Sequence, residues 1–310
     1  MIVNLFELTD EQRKEIKEKG LDVVIHDELF HIDEMLVIIE LEKFCEFPVR
    51  YHRVNRDSDM EEMAKKYEYC LFADVDHGRY DHHDCQQFTY ANGVKEASCG
   101  LVLNDIPLPK RFKELILQKS LYGVQSQDCG QKEFKGKFPN VFTFVHCFNA
   151  KDTKSPVQDE NFQKALNIAR EVFDNLLYRI AEQIADEKPV VEAIKEHHGH
   201  IMELKEFCLG WQDVTVAYNN EESTKEDDKI IYVVFPSPDK TQFRVQGVPV
   251  ENGSFECLKF LPEEWRGKEE NQINELAWIT SAVFVHPNGF IGGARTHEDV
   301  MKMAKVALEA

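Results

Sequence analysis

Residues 21–33 read Leu21-Asp22-Val23-Val24-Ile25-His26-Asp27-Glu28-Leu29-Phe30-His31-Ile32-Asp33. Val23-Val24-Ile25 is a short β-branched run of the kind that forms a buried strand, and it delivers His26 at its carboxyl end. From Asp33 onward, Met35, Ile38, Leu41 and Cys45 recur at intervals of three or four, which predicts a helix. Residues 48–54 and 69–74 read as further strands, separated by a polar helix from Asp57 to Lys66. Upstream, Thr9-Asp10-Glu11-Gln12 has capping-box spacing and opens a charged helix that stops at Gly20. The alternation predicts an α/β domain built on a parallel sheet with crossover helices. In such sheets ligands gather outside the carboxyl ends of the strands, and His26 and Asp74 both fall there.

The segment from Asp74 to Gln87 is rich in metal-binding side chains. Asp74-Val75-Asp76 ends an apolar run, His77 and Gly78 follow, and Asp81-His82-His83-Asp84 comes next. Read with His26, His31 and Asp33, and with Asp128 further on, it gathers imidazoles and carboxylates enough for two divalent ions. The mixture favours manganese, iron or zinc over calcium, which prefers oxygen alone. A two-metal hydrolase needs ligands on each ion, a shared carboxylate and an open position where water is activated. His82 and His83 leave adjacent backbone positions in different directions, so one can bind metal while the other meets water or substrate. Asp81 can orient either ring.

With 37 basic against 56 acidic residues the net charge is −19, which argues against broad electrostatic adhesion to nucleic acid. A phosphate held locally by metals and a few cations remains compatible with it. No apolar run approaches the roughly 20 residues that cross a bilayer. Met1-Ile2-Val3-Asn4-Leu5-Phe6 lacks the basic and hydrophobic segments of a signal peptide, so the expected location is cytoplasmic, with no membrane association. The eight cysteines form no Cys-x-x-Cys pair, and Cys85 and Cys129 read as packing residues.

At 310 residues two domains are expected, here 1–190 and 191–310, with the boundary near 190–203. A long helical stretch over 159–187 carries Phe162, Leu166, Ala169, Phe173, Leu176 and Ile180 on one stripe, and Lys188-Pro189 is expected to interrupt it. Strand-like runs follow at Val214–Tyr218, Ile230–Phe235, Phe243–Val248 and Ala282–His286, and Thr296-His297-Glu298-Asp299 caps a final helix. Gly289-Phe290-Ile291-Gly292-Gly293 reads as a glycine-rich loop whose N–H groups could approach an anion, with Arg295 and Thr296 adding a cation and a hydroxyl. His197-His198-Gly199-His200 follows a helix, where histidines can simply favour the dipole.

Taken in order, several segments resemble a known family. They are His26-x4-His31-x-Asp33-Glu34, Asp74, Arg79-Tyr80-Asp81-His82-His83, Ser98-Cys99-Gly100-Leu101-Val102 and Asp128-x-Gly130. Phe255, Leu261-Pro262-Glu263-Glu264-Trp265-Arg266-Gly267 and Phe284-Val285-His286-x2-Gly289-Phe290-Ile291-Gly292-Gly293 complete the set. The chain, from about residue 22 onward, resembles the Myg family (melanocyte proliferating gene type) of the DHH phosphoesterase superfamily. The resemblance implies a DHH domain followed by a smaller α/β domain that binds substrate, with the active site between them. It implies a phosphodiesterase using two divalent ions, manganese by preference with magnesium or zinc as substitutes, and 3′–5′ exonuclease activity on RNA. By position, His26 and His31 would serve one ion and Asp33 the other, Asp74 would bridge, and His82 and Asp128 would complete the second. His83 and Asp81 would be catalytic, while Gly292, Gly293, Arg295 and His286 would grip substrate.

The chain departs from the family at its first motif, where His-Asn-Gly-x-Phe-His becomes His26-Asp27-Glu28-Leu29-Phe30-His31. Gln125 and Cys129 replace an Asp and an Asn around Asp128, and Gly210-Trp211 replaces Pro-Trp. The expected function is hydrolysis of single-stranded RNA or short oligonucleotides by water activated between two metals. Hydrolysis of dinucleotides or pyrophosphate, and a non-catalytic metal-binding protein keeping the fold, are the alternatives; a homodimer is compatible with either.

Overall fold

A six-residue strand buried along its whole length, β1 (Leu21–His26), is the centre of the first sheet. The computed structural model describes residues 1–55, 58–75, 78–83, 88–135, 137 and 141–310, with backbone alone at Met60, Phe142 and Thr143. Asp57, Asp76, His77, Asp84, Cys85 and Gln87 of the sequence reading lie outside the described residues. Backbone contacts group the chain into two compact units, Met1–Ile180 and Ala181–Ala310.

In the first unit, α1 (Asp10–Lys19) starts at a capping box in which Thr9 accepts from the Gln12 amide, and it ends at Gly20, whose φ is +88°. After β1 come α2 (Ile32–Phe44), β2 (Val49–Val54), α3 (Met60–Lys66) and β3 (Cys70–Phe72). The sheet order is β2-β1-β3, all parallel, as the alternation of strands and helices predicts. Every residue of α2 from Ile32 to Leu41 is buried, Asp33, Glu34 and Glu40 included. A helix enclosed on all sides has no solvent face on which to leave its charges. Helices α4 (Ser98–Asp105), α5 (Lys110–Ile116), α6 (Tyr122–Asp128) and α7 (Phe142–His146) follow. A π-helical stretch, Leu117–Leu121, joins α5 to α6.

Helix α8 (Val157–Glu196) runs unbroken through Pro189, contrary to the expected interruption. A proline inside a helix costs about 3 kcal/mol in an isolated chain. Here tertiary contacts hold both sides of it: Asp186 accepts from the Leu209 amide, Gln183 donates to Asp213, and Val190 is fully buried in the second unit's core.

The second unit contains β4 (Ile201–Glu203), α9 (Trp211–Asn219), β5 (Tyr232–Pro236), β6 (Phe243–Gly247), α10 (Glu270–Ala277), β7 (Ala282–Val285), β8 (Ile291–Ala294) and α11 (His297–Glu309). Its mixed sheet has the order β4-β5-β6-β8-β7. Successive residues of β5 serve opposite faces: Tyr232 and Val234 join the core around Trp265 and Met303, Val233 and Phe235 the core around Trp211 and Val216. The expected strand at Val214–Tyr218 is helix α9 instead. Trp211, Thr215, Val216 and Asn219 are its buried residues, a helical spacing that outweighs β-branching at Val214 and Val216. Among the described residues no helix is long and apolar enough to cross a membrane.

The expected glycine-rich loop is also corrected. Gly292 and Gly293 belong to β8, paired with β6 on one side and β7 on the other. Their lack of a Cβ serves packing: a methyl on Gly293 would stand 2.8 Å from the Phe243 carbonyl oxygen and 2.5 Å from Arg244 Nη1. Gly293→Ala is therefore expected to lower stability in urea unfolding by about 1–3 kcal/mol through overpacking. Unchanged stability with lost activity would show instead that the glycine serves a ligand.

Candidate metal centre

The chain folds so that the ends of β1 and β3 and the first turn of α2 meet. His26 is the last residue of β1, and the backbone then turns through Glu28, whose φ of +63° is the left-handed conformation that favours glycine. This is the position where the resembled family carries its glycine. The strained turn is clamped: Arg53 Nη2 and Gln158 Nε2 donate to the Glu28 carbonyl at 2.7 and 2.6 Å, and Asn149 bonds both backbone groups of Phe30. His31 opens α2, and its amide donates to Glu34 Oε1 at 2.8 Å. Asp33 receives the Ser98 and Cys99 amides, both at 3.0 Å, so the N-terminus of α4 points its unpaired donors at this carboxylate.

Beyond β3, Asp74 also has a left-handed backbone, with φ of +59°, and its amide donates to the Tyr80 carbonyl at 3.0 Å. That bond ties the returning segment to the strand end and brings Asp81, His82 and His83 alongside. Asp128 arrives on the last turn of α6, beyond the π-helical stretch.

Three overlapping groups result, each with ligand atoms within 4.8 Å of one another: His26, His31, Glu34 and Asp74; Asp74, Asp81, His82 and His83; and Asp33, His82 and Asp128. Asp74 is shared by the first two. Its Oδ2 lies 3.0 Å from His26 Nε2, and its Oδ1 lies 3.1 Å from His83 Nδ1 and 3.6 Å from His82 Nδ1. Asp128 spans His82 Nε2 at 3.1 Å and His31 Nδ1 at 3.8 Å. His83 and His82 stack with centroids 4.4 Å apart, and Asp81 Oδ1 accepts both from the His83 backbone amide and, at 2.8 Å, faces its Nδ1.

The electrostatics are those of carboxylates crowded in a dry place. Burial pushes the Glu34 carboxyl up to about 8, against the pull of His26. Burial also raises Asp33, and the neighbouring Asp128 adds to it. For Asp74 burial acts upward but is outweighed by hydrogen bonds from His26 and His83, so its carboxyl is held well below the usual range. His26 is drawn up to about 9 because Asp74 and Glu34 outweigh its burial, and His83 is drawn up to about 9, chiefly by Asp74. Burial lowers His31.

These residues fit divalent cations. Glu34 Oε2 is buried and has no hydrogen-bond partner among the described residues. His26 Nδ1 lies 2.8 Å from the Asp27 carbonyl, so its proton is engaged there and Nε2 faces Asp74 and Glu34. A lone pair facing two carboxylates is repulsive unless a proton or a metal stands between them, and this tautomer is the one used by ligating histidines. Glu34 is the residue that sequence reasoning missed as a ligand. Its signal was present in the capping-box spacing His31-x-x-Glu34, which ties it to the ligand-bearing turn.

The other expected substrate contacts belong to the second unit. Gly292 and Gly293 lie inside β8, and Arg295 Nη2 donates to both carboxylate oxygens of Glu270, at 2.7 and 3.0 Å. Thr296 accepts from the Asp299 amide as the cap of α11, and His286 Nδ1 accepts from the Asn288 amide while its ring packs on Phe290.

Comparison with known proteins identifies the family of the chain. The MYG1_exonuc family model, described as an uncharacterised protein family (UPF0160), matches residues 22–121 and 118–308. A MYG1 protein of Caenorhabditis elegans is 26% identical over 92% of this chain and 94% of its own length. One of Dictyostelium discoideum is 26% identical over 92% and 95% respectively. The MYG1 exonuclease of Homo sapiens is 30% identical over 49% of this chain and 42% of its own length. No solved structure matches the chain. The match to the family model covers nearly the whole chain, which therefore belongs to the MYG1 family, UPF0160.

Proposed function

We propose that this chain is a metal-dependent phosphodiesterase of the DHH type, a 3′–5′ exonuclease on single-stranded RNA or short oligonucleotides, with two manganese ions. The observation that carries the reading is the shared carboxylate: Asp74 belongs both to the group with His26, His31 and Glu34 and to the group with His82 and His83. The names of the human, mouse and rat relatives, each a MYG1 exonuclease, support the reaction class. The ligand groups His26, His31, Glu34 and Asp74, and Asp33, His82 and Asp128, would hold the ions. Divalent ions at such sites supply Lewis acidity and ease the ionisation of water.

The chain's own residues do the rest. Asp33 is held by two amides of α4, so its carboxylate keeps one orientation. His83 is 40% exposed at its side chain, Asp74 and Asp81 both face its Nδ1, and in the metal-free chain they draw its ring up to about 9. Its role is that of a donor: it can hold a phosphate oxygen or pass a proton to the departing O3′. Hydrolysis of dinucleotides or pyrophosphate is the second reading, favoured by the net charge of −19, because long polymers gain affinity from rows of cations.

With Mn²⁺, the purified protein is expected to shorten single-stranded RNA from its 3′ end and release mononucleotides. His82→Ala and Asp74→Ala should each lower the rate by at least about 100-fold, since even indirect partners of metal ligands commonly cost 10–100-fold. Turnover of pyrophosphate alone would transfer the assignment to the second reading. No turnover of RNA, single-stranded DNA, dinucleotide or pyrophosphate, with no metal retained, would overturn both.

The same crowding sets a pH dependence for the metal-free protein. His26 and His83 are raised from 6.5 to about 9, so the stability they contribute is present below pH 6.5 and is lost as pH rises through 9. Glu34, raised from 4.5 to about 8, acts in the same direction, because the unfolded chain ionises first. Thermal melts in EDTA should therefore fall between pH 6.5 and 9, and Mn²⁺ should restore more at pH 9 than at pH 6.5, since metal displaces protons. A flat profile in EDTA, or a larger metal effect at the lower pH, would contradict this account.

A further inference from the structure

The second unit carries a cluster of rings that its core does not account for. A bridge between Pro249 and Cys257, a bond from the Val250 amide to the Glu256 carbonyl and a left-handed Gly253 close a small hairpin. At its tip Phe255 is 72% exposed. A single exposed apolar side chain is ordinary. This one is not single: its ring meets Phe290 at 5.5 Å and 65°, and Phe290 meets His286 at 4.6 Å and 55°.

Beside the rings opens a cavity of about 180 Å³, lined by Gln212, Gln246, Pro249, Phe255, Cys257 and Phe290 among others. Gln212 and Gln246 are half-buried, and neither side-chain amide makes a hydrogen bond among the described residues. Each offers a donor pair and an acceptor, the complement of a base edge. Arg266 lies against Gly289, next to Phe290, and donates to the Leu261 carbonyl. In a chain with 56 acidic residues it has no carboxylate partner among the described residues, whereas Arg295 Nη2 is paired with Glu270.

We propose that Phe255, Phe290 and His286 form a stacking platform for the bases of single-stranded RNA, with Gln212 and Gln246 facing a base edge and Arg266 a neighbouring phosphate. The proposal rests on the exonuclease reading for its choice of ligand. Stacking suits this chain: with net charge −19 it cannot draw affinity from a row of phosphate contacts, and every base has a face to stack. The affinity should accordingly vary little with salt, with a logarithmic slope of about −0.7, the value for one neutralised phosphate on a single strand.

The test is fluorescence anisotropy on the full chain in EDTA, with a fluorescein-labelled RNA pentamer and an abasic pentamer of the same backbone. The base-bearing pentamer should bind about tenfold tighter than the abasic one. Phe255→Ala should remove that difference and leave the abasic pentamer unaffected, and Phe255→Trp should keep it. Gln212→Leu, on a different element, should weaken only the base-bearing pentamer and serves if the hairpin is disturbed by loss of Phe255. Equal binding of the two pentamers, no binding in EDTA, or Phe255→Ala within twofold of the parent overturns the platform. Base-dependent binding without cleavage in Mn²⁺ keeps the platform and overturns the exonuclease reading. Cleavage with unaltered binding in Phe255→Ala does the reverse.

Discussion

The first unit depends on how buried negative charge is balanced at the start of α2. Asp33 and Glu34 are wholly buried, and Asp74 and Asp81 are nearly so. Isolated carboxylates cannot be desolvated at tolerable cost, so each must find protons, imidazoles, amides or metal. The α4 amides answer Asp33, His26 and His83 answer Asp74, and Glu34 Oε2 has no hydrogen-bond partner among the described residues. The parallel sheet serves this arrangement by ending two adjacent strands at the same edge. Any metal bound by these groups would be coupled to folding of this unit, because they are also its most costly buried groups.

Much of this was legible in the sequence where the physics is local. The apolar runs of β1 and β3, with a helical period between, led to the parallel sheet and placed His26 and Asp74 at strand ends. A capping box at Thr9 and an N-cap at Thr296 marked two helix starts that the structure contains. What was not legible required tertiary information. Residues 214–218 alternate like a strand, and only the burial of Trp211, Thr215 and Asn219 makes them a helix. Pro189 stays helical because contacts from the second unit grip both sides of it. Glycines 292 and 293 carry no side-chain pattern at all, so a paired strand and a loop look alike in sequence.

The site followed the same division. Residues that share a strand end or a short segment were grouped by spacing, and Asp128 was named with them, whereas Glu34 was concealed as a ligand inside an apolar helix. The second unit shows how a plausible grip can be redistributed. Arg295 is occupied by Glu270, whereas Arg266, beside the turn at Gly289, donates to the Leu261 carbonyl and has no carboxylate partner among the described residues.

Asp74 is subject to two independent filters. Its left-handed backbone tolerates glycine, asparagine and aspartate far better than branched or bulky residues. Its place between His26 and His83 calls for a full negative charge. Glutamate meets the second demand but lengthens the reach, and asparagine meets the first without the charge. The residue types that satisfy conformation and those that satisfy charge overlap at aspartate alone, so drift at this position has no neutral path.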